Sequence, residues 1–141
     1  MIKYGWIFCL LMFVTLTSCE QEKGLDTDVV TSNEKPVLSF KSLVHDFETI
    51  EEGLQVLWAF EFTNTGKSDL IITDAKGSCG CIVPNYTKEP VAPGESGIIE
   101  VKFDSAGKKG QQEKVITIQS NAVPPVVKLK VLADVQPKKN N

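Results

Sequence analysis

The chain has 141 residues, 42% of them hydrophobic and 23% charged, which suits one globular domain with appendages and leaves no room for two full cores. All fifteen basic residues are lysines, and eighteen acidic residues outnumber them for a formal charge of -3. A mildly acidic chain without a single arginine lacks the planar fork that suits phosphates and base edges, so nucleic acid is not an expected partner.

Residues 1–18 have the order of a secretory signal: Lys3 near the start, an apolar run from about Trp6 to Val14, then small and polar residues. The apolar run is too short to span a bilayer as a stable helix. Leu16-Thr17-Ser18-Cys19 resembles the bacterial lipobox, in which the bond before the cysteine is cut and its thiol receives diacylglycerol as a thioether. A chain processed in this way begins at Cys19, loses only Lys3 among its charges, and is anchored to a membrane without crossing it. Each buried methylene of the acyl chains adds about 0.8 kcal/mol to that hold. The expected location is therefore the cell envelope of a bacterium, facing the periplasm or the cell surface.

Residues 19–35 carry scattered charge and no apolar period, and are expected to be a lipidated, flexible tether. Fully extended, they would reach about 50 Å from the lipid surface.

From residue 36 to 136 the pattern is one of short alternating runs between turn residues, with no helical period. Leu38 and Phe40 open a first strand, which Val44 to Ile50 continues across a bend near Ser42. Between Gln55 and Thr63, every second residue is large and apolar (Val56, Trp58, Phe60, Phe62), which predicts four core side chains on one sheet face. Asn64-Thr65-Gly66 is a turn signal, after which Leu70 and Ile72 begin another strand. Pro93-Gly94-Glu95 leads into Gly97 to Asp104, with Ile99, Val101 and Phe103 inward. Glu113 to Ser120 and Val126 to Val135 complete the set, and residues 137–141 form a solvated tail. Six to eight short strands in about 100 residues predict an all-β, immunoglobulin-like antiparallel sandwich, with a small barrel as the alternative.

Cys79-Gly80-Cys81 is the one chemically suggestive group. Residues two apart on an extended segment point to the same side, so the two sulfurs can face each other or one ligand. The open readings are a local structural disulfide, a redox-active pair, a soft-metal site and inert thiols. So small a loop contributes only about 1.6 kcal/mol as a staple by the chain-entropy estimate. Structural zinc has too few ligands here and the wrong cysteine spacing, and blue copper would need two histidines where the chain has one. No cofactor fingerprint and no nucleophile elbow is present, so an enzyme is not expected, with redox activity of Cys79 and Cys81 left open.

His45 and the adjacent Asp46 should point to opposite faces of a strand, which argues against a catalytic pair. Trp58 is expected in the core as part of the aromatic row; a carbohydrate platform would require Trp58 or Tyr86 at the surface. Asn85-Tyr86-Thr87 fits an N-glycosylation pattern and suggests an exposed loop. Asp104-Ser105-Ala106 resembles an O-glycosylation acceptor of some exported bacterial proteins.

A wider set of residues carries a family resemblance: His45-Asp46-Phe47, Glu52-Gly53, Phe60 through Gly66, Ser78-Cys79-Gly80-Cys81, Pro84, Pro90, Pro93-Gly94-Glu95, Lys108, Gly110 and Ser120-Asn121. Together they are similar to the bacterial family of unknown function catalogued under the number 1573, over nearly the whole domain. Glu48 stands where that family usually has glycine, and Ile82 where threonine is common. The resemblance implies an immunoglobulin-like sandwich of the kind shared with major sperm protein and pilus-chaperone domains, in exported and often lipidated proteins, with no assigned activity. The expected function is a lipid-anchored, non-catalytic binding or assembly module that meets an envelope protein or glycan. The competing expectation is an envelope redox or soft-metal protein acting through Cys79 and Cys81.

Overall fold

The computed structural model describes residues 34–138. The expected signal segment, the lipidation site Cys19, nearly all of the tether and the last three residues lie outside that span. Eight strands follow one another: β1 (Leu38–Phe40), β2 (Val44–Glu51), β3 (Gln55–Asn64), β4 (Ile72–Gly77), β5 (Ile82–Tyr86), β6 (Ser96–Asp104), β7 (Gly110–Ser120) and β8 (Val126–Gln136). They form two four-stranded sheets, ordered β1-β3-β6-β5 and β2-β8-β7-β4. All neighbours are antiparallel except β2, which runs parallel to β8.

Alternation along the strands builds the core between the sheets. Phe60, Phe62, Ile99, Val101 and Phe103 come from one sheet, and Ile116, Ile118, Leu129, Val131 and Val135 from the other; all are at most 2% exposed. Burying a side chain of this size contributes about 1.5–3 kcal/mol, so these ten residues supply most of the hold between the layers. Their partners in alternation, Glu100, Lys102, Lys128 and Lys130 among them, stay outside the core.

The bend near Ser42 does more than interrupt a strand. β1 pairs with β3, whereas β2 pairs with β8, so the chain leaves one sheet and enters the other between Lys41 and Leu43. Leu70 meets Val91 in an isolated bridge, and the strand expected from Leu70 begins at Ile72. β5 was not foreseen, because Pro84 interrupts its pattern; Asn85 and Tyr86 lie on this strand and not in a loop.

Two buried polar side chains tie down the turns. Asn64 is fully buried, and its amide group makes four hydrogen bonds. Its Nδ2 donates to the carbonyls of Ser68 (2.8 Å) and Val91 (2.9 Å), and its Oδ1 accepts from the N–H groups of Gly66 (3.0 Å) and Val37 (3.3 Å). Gly66 must lack a side chain, because a Cβ there would run into the main chain of Lys35, Pro36 and Val37. Ser105 is likewise fully buried. Its hydroxyl meets the carbonyls of Glu51 (2.8 Å) and Leu54 (2.9 Å) and accepts from the Leu54 N–H (2.9 Å). Ser105 is thus committed to the β2–β3 turn and is no exposed acceptor for a sugar, contrary to the sequence expectation.

Candidate functional site

Cys79 and Cys81 sit where the chain crosses from β4 in one sheet to β5 in the other. The two are joined in a disulfide with a Cα–Cα distance of 5.2 Å. Both are half-buried and pack against the core, while Gly80 between them is exposed. The crossover is also held by its main chain. The Ser78 N–H donates to the Val115 carbonyl (2.8 Å), the Ile82 N–H to the Cys79 carbonyl (3.1 Å), and the Asp104 N–H to the Cys81 carbonyl (2.9 Å). The Ser78 hydroxyl accepts from the Val115 N–H at 3.2 Å. Gly77 passes so close to Ile82 that a Cβ would lie 2.5 Å from its carbonyl oxygen. Among the described residues, no group of three or more His, Cys, Asp or Glu side chains converges as a metal site would require.

His45 and Trp58 meet at the open side of the sandwich, one from each sheet. Their rings stack at 3.6 Å between centroids and 4° between planes, and Phe47 meets the imidazole edge-on at 4.6 Å. Trp58 shares a face with Phe60 and Phe62, yet it is 41% exposed. The expectation that it lies in the core is corrected: alternation fixes the face of a sheet, not how far from its edge a residue sits. Burial of the imidazole lowers the His45 pKa, against a smaller upward pull from Asp46. Tyr86, the other candidate platform, is half-buried; its hydroxyl donates to the Thr73 carbonyl (3.2 Å), and the Lys88 ammonium lies 3.3 Å from its ring centre.

The strand edges differ in how they are protected. Within a strand, the N–H and C=O of one residue point to the same side and those of the next residue to the other. In β3, the Asn64 N–H donates to the Glu95 carbonyl and its C=O accepts from the Gly94 N–H, so even-numbered residues face β6. Odd-numbered residues face the opposite way: Thr63 meets Ser39 of β1, and the Thr65 N–H donates to the Val37 carbonyl. Because β1 stops at Phe40, the main-chain groups of Leu57, Ala59 and Glu61 point outward with no partner strand among the described residues. The register of β3 on β6 is unbroken from Gln55 to Thr63, so no bulge interrupts this edge.

The other three edges are blunted. On β5, the Cys81 and Thr87 main chains face β6, so Ile82, Pro84 and Tyr86 face outward. Pro84 has no N–H to offer, and that of Ile82 is already bonded. On β2, the Ser42 hydroxyl donates to the Val44 carbonyl (2.7 Å) and accepts from the Val44 N–H (3.2 Å). A bulge follows between Asp46 and Thr49, where Glu48 has φ 58° and donates its N–H to Asp46 Oδ1 (2.8 Å). On β4, Gly77 lies against Ile82, and the Thr73 carbonyl takes the Tyr86 hydroxyl. Beside the open β3 edge runs a groove of about 260 Å³ lined by Lys41, Ser42, Trp58, Ala59, Phe60 and Glu61. Lys41 and Glu61 form an ion pair there, and the Lys41 ammonium holds the Glu61 carboxyl below its usual pKa. The sequence reading missed this edge, because its length depends on where β1 leaves β3.

Two facing sheets, a first strand divided between them and a parallel pairing of β2 with the last strand define an immunoglobulin-like sandwich of the PapD-like kind. Solved structures agree on the fold. A protein of unknown function from Porphyromonas gingivalis W83 is 19% identical with a TM-score of 0.65, over 77% of this chain and 51% of that one. The ASH / PapD-like domain of human CEP192 (PapD-like domain 7) is 9% identical with a TM-score of 0.58, over 77% of this chain and 89% of that one. The Vibrio cholerae VesB protease is 19% identical with a TM-score of 0.56, over 71% of this chain and 32% of that one. This chain therefore spans about half the length of the Porphyromonas protein and a third of the protease. No curated protein matches it. A family model matches residues 38–135, and the chain belongs to that family, the protein of unknown function family DUF1573.

Proposed function

We propose that this chain is a non-catalytic binding module of the bacterial cell envelope, held to a membrane through lipid on Cys19, that takes up an extended segment of a partner protein along the free edge of β3. The observation that carries this is the contrast between three blunted edges and one open one. Proteins ordinarily protect an exposed strand edge, because its unpaired groups are a template for another chain. An edge free of bulges, with a groove of mixed character beside it, suits addition of a strand, in which main-chain hydrogen bonds give affinity and pockets for alternate side chains give selectivity. Leu57, Ala59 and Glu61 would pair with about five residues of the incoming strand, and the groove would receive a side chain next to Trp58.

Two variants separate a strand from a glycan, the second reading, which the exposure of Trp58 favours. Ala59→Pro deletes an outward N–H that makes no bond within the domain, so the fold should persist while strand binding is lost. Trp58→Ala removes the aromatic face a sugar would need and leaves the main-chain groups in place. With a photo-crosslinking residue at Leu57 of the full chain in cells, a discrete adduct is expected that Ala59→Pro abolishes. An adduct unaffected by Ala59→Pro, or none at all, rejects the strand. For the anchor, Cys19→Ser should move the protein out of the membrane fraction; retention there, or an intact residue 1–18 segment on the wild-type protein, would overturn the lipid attachment.

A further inference from the structure

We infer that the Cys79–Cys81 bridge is a thiol–disulfide exchange site that takes two electrons from a dithiol of a partner protein, and not a staple of the fold. It lies apart from the β3 edge and stands or falls independently of strand binding. A staple stabilises by restricting the unfolded chain, and a bridge between residues two apart restricts it little. The two effects are linked: a bridge that gives folding little support receives little protection from folding in return. The crossover, moreover, does not need the bridge. Three main-chain hydrogen bonds and one to the Ser78 hydroxyl hold it through Ser78, Cys79, Cys81 and Ile82, and none of them involves sulfur. Opening the bridge therefore leaves two thiols side by side on an unchanged loop, the arrangement a reversible dithiol requires.

The pair is reachable because it is only half-buried. Cys79 and Cys81 pack against the core but keep part of their surface in solvent, and Gly80 between them is exposed, with nothing beyond its two neighbours within 4 Å of where a Cβ would stand. In the exchange, a partner thiolate attacks one sulfur; the sulfur–sulfur bond breaks, and the second cysteine leaves as a thiolate that takes up a proton. The partner's second thiolate then attacks the mixed disulfide, releasing the first cysteine, which is protonated in turn. The partner departs with a disulfide, and Cys79 and Cys81 are left as two thiols, so two electrons and two protons have moved.

The test uses the full chain with Cys9→Ser and Cys19→Ala, which leaves the pair as its only cysteines. In native buffer, reduced glutathione should open the bridge within about tenfold of the rate measured on the chain unfolded in denaturant, with the β-sheet circular dichroism unchanged. One equivalent of a reduced Cys-x-x-Cys peptide should be oxidised per chain, and the same peptide with its second cysteine replaced by serine should be caught, after acid quench and alkylation, as a mixed disulfide with the bridged chain, because it has no second thiol to complete the exchange. A bridge that opens a thousandfold more slowly in the folded chain, a reduced chain that unfolds, or the absence of any mixed disulfide with the single-thiol peptide would each overturn the inference.

Discussion

Asn64 concentrates more of the fold's polar cohesion than any apolar neighbour of its size. With no exposure and four hydrogen bonds to main-chain groups of the 64–68 turn, Val91 and Val37, it cannot be replaced by a side chain lacking both a donor and an acceptor. Asn64→Ala strands the Ser68 carbonyl and the Gly66 and Val37 N–H groups, leaves the Val91 carbonyl with the Leu70 N–H alone, and should cost about 3–5 kcal/mol. In a domain of about 100 residues, that lowers the thermal midpoint by roughly 15 °C or more, which calorimetry would measure. Glu48 has the opposite sign. It adopts a left-handed conformation that costs a side-chain-bearing residue about 1 kcal/mol. Glu48→Gly should therefore raise stability by about 0.5–1 kcal/mol, visible as a higher urea midpoint at unchanged slope. Asn64 was legible in the sequence as a turn signal and Asn121 as a residue of the family resemblance, but neither as a fastener. Asn121 binds Ile71 N–H and the Asp69 carbonyl, partners some fifty residues away that no local pattern reveals.

Between strands, the His45–Trp58 stack couples the edge of β2 to the edge of β3. Because burial depresses the His45 pKa, the unfolded chain binds that proton more readily than the folded one. Its contribution is present above the ordinary value of 6.5 and is lost as pH falls through that value toward the depressed folded pKa. The urea midpoint should be lower at pH 5.5 than at 7.5, and His45→Phe, which keeps a ring on Trp58, should flatten the difference. In Trp58→Ala, the imidazole titration followed by NMR should move back up. Strand content was read well where one face is buried and the other wet, as in β6 and β8, since a period of two is then written in residue type. β5 escaped because it is short, sits at an edge and contains proline, the same feature that blunts it. The crossover at 41–43 appeared only as a bend, since whether a strand continues in its own sheet or passes to the facing one depends on partners distant in sequence.

For the molecule as a whole, alternation and turn spacing were enough to predict the sandwich, and Cys79-Gly80-Cys81 was visible as the one pair of cysteines in the domain. The layout of strands was not, because β2 pairs with β8 across most of the domain's length. Contacts between such distant segments form late and slowly, so refolding from urea is expected on a millisecond-to-second scale; stopped-flow fluorescence of Trp58 would report it, and microsecond folding would contradict it.

The three-residue pairing of β1 with β3 has a mechanical side. Tension applied at Glu34 reaches the sandwich through the few bonds of residues 34–37 and then this short ribbon, because after Lys41 the chain passes into the other sheet, where β2 is secured on β8. A tug from that end would peel β1 away and bare the outward main-chain groups of Thr63 and Thr65, while the remaining seven strands stay zipped. Load from that side would thus lengthen the exposed margin of β3 before it endangered the rest.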